Sequence, residues 1–346
     1  MSDDSLHNTE HERTTTETDK EDSSRAVAVK DLWLTYADGT EAVQGLSLAI
    51  ERGEFFGFLG PNGAGKTTTI KILATLLEPT RGSVTVNGFD VAKERTAVRG
   101  SIGYMPQETS VDEELTAREN LRFACGAYGV PRGDRDDRIA ELLELIDLAD
   151  VADTPAAQFS GGMKKRLDAA TALVHDPQLV FLDEPTTGLD PKARNRLWDY
   201  FQRINDAGTT IFLTTQYLEE ADALCDRLSV IRDGSIVADG SPKELKRRVG
   251  GETLKLEIES GSDVVDRACK ISRQSDLFEA DATVETTGET VRITTRRARE
   301  QGSKLLVKLQ ESDITVTGFD IEETTLDDVF LAIADESVAE LEGGHA

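Results

Sequence analysis

The sequence predicts an α/β chain: a mainly parallel sheet that carries a phosphate-binding loop, followed by a small α+β domain. Three observations lead there. GPNGAGKTT (60–68) stands between a short apolar run, EFFGFLG (54–60), and a helical segment, KTTTIKILATLL (66–77), which is the strand–loop–helix setting a phosphate cradle needs. LVFLD (179–183) and TTIFLTT (209–215) are apolar stretches of strand length with a helix between them, as expected of parallel strands buried on both faces. Beyond Gly250-Gly251 the pattern reads strand, helix, two strands, helix, strand.

The elements follow in order. Ordered structure is expected from Ala26. VAVKDLWLTY (27–36) is rich in β-branched and aromatic residues and reads as a strand; ADGT (37–40) supplies a turn and EAVQGLSLAIE (41–51) a second strand. The helix over 66–77 is expected to stop at Glu78-Pro79. SVTVNG (83–88) reads as another strand. From Thr116 to Ala152 a helical period dominates, with Ile139, Leu142, Leu143 and Ile146 at i, i+3, i+4 and i+7. RLSVIRDGSIVADG (227–240) is a hairpin that turns at Asp-Gly. Ser241-Pro242 offers an N-cap and a first-turn proline for a short helix. The C-terminal strand 253–259, helix 262–273, strands 282–287 and 290–296, helix 299–311 and strand 314–321 make the βαββαβ order of a ferredoxin-like unit. TLDDVFLAIA (325–334) adds a last helix. The expected organisation is a disordered acidic tail over 1–25, a domain carrying the phosphate loop over 26–249, a regulatory or dimerisation domain over 252–335 and an acidic tail over 336–346.

Composition narrows the function. The 346 residues suggest two domains. Sixty-five acidic against 39 basic residues give a net charge of −26, which argues against a nucleic-acid binder, since phosphate-backbone affinity comes from Lys and Arg. It also argues against unaided adhesion to an anionic membrane. Self-repulsion at this charge is relieved by concentrated salt, so a halophilic setting is expected. Cys125, Cys225 and Cys269 lie far apart and form no C-x-x-C pair, and the four histidines show no metal-ligand spacing; free thiols in a reducing compartment are expected. Residues 1–25 contain no apolar signal-peptide core, and no run of 18 apolar residues occurs.

The chemistry resides in three segments. In the loop from Gly60 through Pro61, Asn62, Gly63, Ala64 and Gly65 to Lys66, Thr67 and Thr68, glycines let backbone N–H groups curl around an anion and the following helix adds its positive end. Lys66 is placed to reach the β- and γ-phosphates of a nucleotide, and the Thr67 hydroxyl to ligate Mg²⁺. The strand ending in Asp183-Glu184 brings an acidic pair to the ligand edge of the sheet: Asp183 to hold Mg²⁺, Glu184 to face an attacking water. The third segment, FSGGMKKRL (159–167), opens a helix about twenty residues before that strand. Alone it would read as an N-cap serine with two glycines.

Together these segments resemble the ABC (ATP-binding cassette) ATPase family, whose signature is a Ser-Gly-Gly helix start. The resemblance covers residues 26 to 245 and implies a P-loop NTPase core with an antiparallel β subdomain and a helical subdomain. It implies that Ser160, Gly161 and Gly162 press on the γ-phosphate of an ATP held by a second copy. Tyr36 matches the aromatic that stacks on adenine, and Gln107 the glutamine that reaches the metal and senses the membrane subunit. TTGLD, ending in Asp190, matches the loop at the dimer interface. Two positions depart from the family pattern: Met163 replaces the usual Gln, and Gln216 stands where a switch histidine is usual. Glutamine exchanges hydrogen bonds but takes up no proton near neutral pH, which leaves Glu184 as the expected base. SGGMKKRL, TTQYLEEAD and ETTLDDVFLAI (323–333) resemble the daunorubicin/doxorubicin-resistance type of exporter ATPase. That resemblance implies an ATP- and Mg²⁺-dependent ATPase at the cytoplasmic face of the membrane, forming a homodimer on ATP and serving a separately encoded permease. A soluble ABC protein of DNA repair or translation and a nucleotide-gated regulator are the alternatives. The 117 residues between Lys66 and Asp183 leave no room for a repair-type coiled coil, and intact Lys66, Asp183 and Glu184 weigh against a regulator.

Overall fold

The structure is a computed structural model that describes residues 24–249, 251–259, 262–278 and 282–330. The strands, in chain order, are β1 (Arg25–Thr35), β2 (Glu41–Glu51), β3 (Phe55–Leu59), β4 (Arg81–Val86), β5 (Phe89–Asp90), β6 (Ile102–Met105), β7 (Leu179–Asp183), β8 (Thr210–Thr215), β9 (Arg227–Arg232), β10 (Ser235–Gly240), β11 (Glu252–Ile258), β12 (Thr283–Thr287), β13 (Thr290–Thr295) and β14 (Val316–Glu322). The helices are α1 (Lys66–Leu73), α2 (Arg95–Ser101), α3 (Ala117–Ala127), α4 (Arg135–Leu145), α5 (Gly161–Thr171), α6 (Pro191–Asp206), α7 (Leu218–Leu224), α8 (Pro242–Val249), α9 (Ser262–Arg273) and α10 (Ala298–Gln310).

Backbone contacts divide the chain into two compact units. The first comprises Met1–Phe56, Pro61–Thr214 and Arg232–Ser235; the second comprises Gly57–Gly60, Thr215–Ile231 and Ile236–Ala346. In the first unit an antiparallel sheet runs β2-β1-β4-β5, and a second sheet runs β3-β8-β7-β6, with β6, β7 and β8 parallel. Every residue of β3, β7 and β8 is buried, which is why these strands read as unbroken apolar runs rather than alternating ones. Phe56, Phe181 and Phe212 pack with ring centroids 5.4–5.6 Å apart along that core.

In the second unit β10 and β9 extend from the second half of β3. Asp233 and Gly234, both at positive φ, make the expected turn between β9 and β10, as hairpin twist requires. Ser241 and Glu244 cap α8 reciprocally. The C-terminal elements form an antiparallel sheet in the order β12-β13-β11-β14. Leu254, Leu256, Ile258, Val291 and Ile293 alternate along two central strands and bury against Ala268, Leu305 and Leu309 of its helices. The βαββαβ element order is the one read from the sequence. Of the expected last helix, residues 326–330 are helical and 331–334 lie outside the described residues, as do most of 1–25 and all of 336–346.

Four local expectations are corrected. Helix α1 ends at Leu73, short of the Glu78-Pro79 stop, because Thr75 turns left-handed at φ 62° and leaves Leu76 half in solvent. SVTVNG is not all strand: Asn87 and Gly88, at φ 50° and 86°, form the two-residue turn into β5. The helical stretch from 116 breaks into α3, α4 and short 3₁₀ turns, with Gly129 at φ 75° after the first helix. Strand β6, preceded by α2, escaped the sequence reading because IGYM is only four residues long, too short for a periodicity to register.

Candidate active site

The candidate site lies at the C-terminal ends of the parallel strands, where such sheets bind ligands. Loop 60–65 leaves β3 and enters α1 through Gly65 at φ 107°, a conformation open to glycine and not to branched residues. No side chain caps α1 at Gly65, and a helix start of this kind is a ready position for an anion. Ala64, Gly65 and Lys66 are buried, whereas Pro61, Asn62 and Gly63 are exposed. Gly60 falls in the second unit.

Lys66 Nζ donates to the Pro61 carbonyl at 3.1 Å and lies 3.3 Å from Glu184 Oε1. Both side chains are 5% exposed or less. Glu184 also accepts from Gln107 Nε2 at 3.1 Å and from Thr187 Oγ1 at 3.4 Å. Its backbone sits at φ 48°, a left-handed conformation that costs a non-glycine residue about 1–3 kcal/mol. Hydrogen bonds from its N–H to the carbonyl and hydroxyl oxygens of Thr214 hold it there. Neighbouring Asp183 is in register with Thr214 on β8; it accepts from Thr214 Oγ1 at 2.6 Å and Thr67 Oγ1 at 3.3 Å. Burial pushes the Asp183 carboxyl above the usual carboxylate range, and these hydroxyl donors only partly offset it.

The other sequence-predicted residues fall in two groups. Tyr36, just past the end of β1, is exposed, and its hydroxyl pairs with Thr68 Oγ1 at 3.0 Å beside the loop. Ser160, by contrast, N-caps α5 by accepting from the Met163 N–H. A Cβ on Gly162 would stand 2.9 Å from Ala193 Cβ, so close packing on α6 demands glycine there; a Cβ on exposed Gly161 would meet nothing. Asp190 N-caps α6, accepting from Ala193 N–H at 2.9 Å. Gln216 follows β8, half-buried, in the second unit. Thr214 was missed by sequence reasoning; its signal was a hydroxyl at the ligand end of an otherwise apolar strand.

The buried carboxyl yields a test of stability. A carboxyl whose folded-state pKa is raised binds its proton more tightly folded than unfolded. Stability contributed at low pH is therefore lost as pH rises from the ordinary carboxylate value through the raised one. Asp183→Asn removes that charge and keeps an acceptor for Thr214. In nucleotide-free protein it is expected to raise the melting temperature at neutral pH by about 2–4 °C, the shift that ~1 kcal/mol gives a domain of this size. The gain should shrink toward pH 4. A lower melting temperature at pH 7 would show that Asp183 stabilises the empty site.

Comparisons with known proteins accord with this geometry. Residues 43–187 match the ABC transporter family, and residues 240–334 match the C-terminal domain of DrrA1-3-like ATP-binding proteins. The chain is 41% identical over 90% of its length to the daunorubicin/doxorubicin resistance ATP-binding protein of Streptomyces peucetius, spanning 92% of that protein. It is 35% identical over 84% of its length to the linearmycin resistance ATP-binding protein of Bacillus subtilis (strain 168), spanning 92% of it. Among solved structures it resembles an ABC transporter ATP-binding subunit (33% identity, TM-score 0.59, 64% of this chain and 92% of that one). It also resembles a dimeric, post-hydrolysis ATP-binding cassette bound to ADP and Pi (28% identity, TM-score 0.57, 62% and 98%). The protein is an ATP-binding, ATP-hydrolysing cassette. The chain belongs to the ABC transporter ATP-binding protein family, alongside the drug-resistance ATP-binding subunits.

Proposed function

We propose that this chain drives an exporter: ATP closes two copies into a dimer, hydrolysis reopens them, and the cycle moves a separately encoded permease that it joins at the cytoplasmic face of the membrane. Among the described residues no helix is long and apolar enough to cross a membrane. The observation that carries the reading is the buried Lys66–Glu184 pair, with exposed Gln107 at its edge, beside the phosphate-loop helix, joined to similarity along most of the chain to drug-resistance ATP-binding proteins.

The residues divide the work. Backbone N–H groups around Gly63 and Gly65 and the Lys66 ammonium bind the phosphates, and Tyr36 stacks on the base. Glu184 orients and deprotonates the attacking water, and Gln216 supplies a hydrogen bond near the γ-phosphate without exchanging a proton. Thr67 and Asp183, a hydroxyl and a carboxylate 3.3 Å apart, are hard oxygen donors that suit Mg²⁺, an ion that binds through few protein ligands plus substrate phosphates; the Gln107 amide oxygen would be a further ligand. Bound there, Mg²⁺ would supply neutralisation of phosphate charge. Ser160, Gly161, Gly162 and Asp190 serve the partner copy's nucleotide and the interface; the fold does not require a glycine at 161, which fits close approach by a ligand.

Co-expression with a six-helix membrane protein encoded beside it tests the reading. The chain should be retained on membranes, and ATP should drive drug uptake into inverted vesicles. ATP turnover with no membrane retention beside any such protein would defeat the exporter reading in favour of a soluble ATPase. The net charge of −26 carries a second expectation, a halophilic protein: melting temperature and ATPase activity should rise in molar KCl as self-repulsion is screened. Equal or greater stability in dilute buffer would remove that part.

A further inference from the structure

Helix α8 carries a charge opposite in sign to that of the chain as a whole. The protein has a net charge of −26, yet residues 243–248 hold four cations, Lys243, Lys246, Arg247 and Arg248, against one carboxylate, Glu244. Glu244 is engaged at the helix start, where it accepts from the Ser241 N–H at 2.9 Å. Leu245 is buried and anchors the helix, whereas Lys243, Arg247 and Arg248 are exposed. Within the second unit the four cations line a cavity of about 1160 Å³, shared with Arg296, which follows β13, and Arg299 of α10.

Local pairing leaves part of this charge uncompensated. Four carboxylates also line the cavity, and three of them are taken up by two of the cations: Lys246 pairs with Asp222 at 2.6 Å, and Arg299 with Glu252 at 2.6 Å and with Glu323. Among the described residues, Lys243, Arg247 and Arg248 make no ion pair. Arg247 and Arg248 alone would read as a helix end, since cations suit the negative end of the dipole. Lys243 does not fit that reading. It lies in the first turn, where the dipole disfavours a cation, and one turn from Arg247, a like-charge spacing that destabilises a helix. Arg296 and Arg299 come from other elements and gain nothing from the dipole of α8. A cleft lined by an excess of one sign of charge concentrates ions of the other.

The lining also selects. Arginine forks match phosphate oxygens two at a time. Among the described lining residues there is no aromatic ring, so a nucleobase would find nothing to stack on, and the volume is that of a small-molecule site rather than of a single ion.

We propose that this cavity is a second anion site, separate from the phosphate loop, that takes a small molecule bearing several phosphate groups and no aromatic ring, held chiefly by Lys243, Arg247 and Arg248. Bound there, the anion ties α8 to the C-terminal elements around Arg296 and Arg299. The inference stands independently of the exporter reading. A free anion is favoured over a membrane headgroup because a net charge of −26 opposes approach to an anionic bilayer.

Tripolyphosphate is the probe, titrated calorimetrically into the full chain at the lowest KCl in which the chain is folded, since added salt screens exposed cations. The parent should bind it at two classes of site, the phosphate loop and this cavity. The triple variant Lys243→Gln, Arg247→Gln, Arg248→Gln should keep the loop class and lose at least about tenfold in affinity at the other, as expected on removing charge-assisted contacts. A fluorescent ATP analogue should bind both proteins equally. With the loop filled by that analogue, tripolyphosphate should still raise the melting temperature of the parent and not of the variant, by mass action on the folded state. A single class of site in the parent, or two in the variant at parental affinity, would overturn the proposal. Binding to phosphatidylglycerol vesicles that the variant loses, with no tripolyphosphate bound at the cavity, would overturn the free anion in favour of a lipid headgroup. If the triple variant lacks the parent's ligand-free melting curve, the three single substitutions are read in its place, and parental affinity in all three would count equally against the site.

Discussion

Replacing Glu184 by Gln is expected to leave ATP binding intact while hydrolysis falls about 10²–10⁴-fold, the usual contribution of a positioned general base. Glutamine keeps the length of the side chain and a carbonyl oxygen that still accepts from Gln107 and Thr187, the donors seen at 3.1 and 3.4 Å. The left-handed backbone at φ 48° is held by bonds from the Glu184 N–H to the Thr214 carbonyl and hydroxyl oxygens, which the substitution does not touch. With ATP bound the loss is therefore confined to the base, while in the empty protein the substitution also removes the counter-charge of the Lys66 ammonium. Bound ATP should then persist between two copies, so light scattering should report a dimer that the parent forms only transiently. Steady-state ATPase measurement decides the matter: parental turnover in Glu184→Gln would remove this residue from the mechanism.

Lys66→Ala is expected to fail differently, at binding and at folding together. The phosphates lose a charge-assisted contact of about 1.5–3 kcal/mol, a weakening of roughly 10- to 10²-fold in nucleotide affinity by fluorescence titration. In nucleotide-free protein the Glu184 carboxylate is left in a site 5% exposed without its cation. Breaking a buried pair from one side costs about 3–5 kcal/mol, here reduced by the Gln107 and Thr187 donors. Combining Lys66→Ala with Glu184→Gln removes both charges, so the double variant should melt above Lys66→Ala alone, the signature of coupling in a double-mutant cycle. Strictly additive losses would show that the 3.3 Å pair contributes nothing to the empty protein.

These two results differ because one carboxylate does two jobs. Before ATP binds, Glu184 balances the charge of Lys66 in a dry site. On the proposed mechanism, the phosphates then give Lys66 a stronger partner and release Glu184 from its cation. The empty-site ion pair thus holds the two side chains in place, and on the proposed mechanism the substrate separates their roles.

Much of this was legible in the sequence, and the reasons are local. GPNGAGKTT announces its loop because only glycine tolerates backbone such as that of Gly65 at φ 107°. LVFLD and the strand 210–215 announce themselves because burial on both faces removes polar alternation. Asp233-Gly234 and Ser241-Pro242 mark a turn and a helix start through their own backbone preferences. Each of these signals is written within about ten consecutive residues. Tertiary structure alone decided where α1 stops, since Thr75 is held left-handed while its carbonyl and hydroxyl accept from Arg99, 24 positions away. It alone decided that Glu184 faces Lys66 and Gln107, at separations of 118 and 77 residues, and that Lys165 and Asp168 hold the segment after Gln107. Propensity and periodicity act over one or two turns of chain, whereas the position of a buried charge is set by whichever distant donors the packed strands bring within about 3 Å of it.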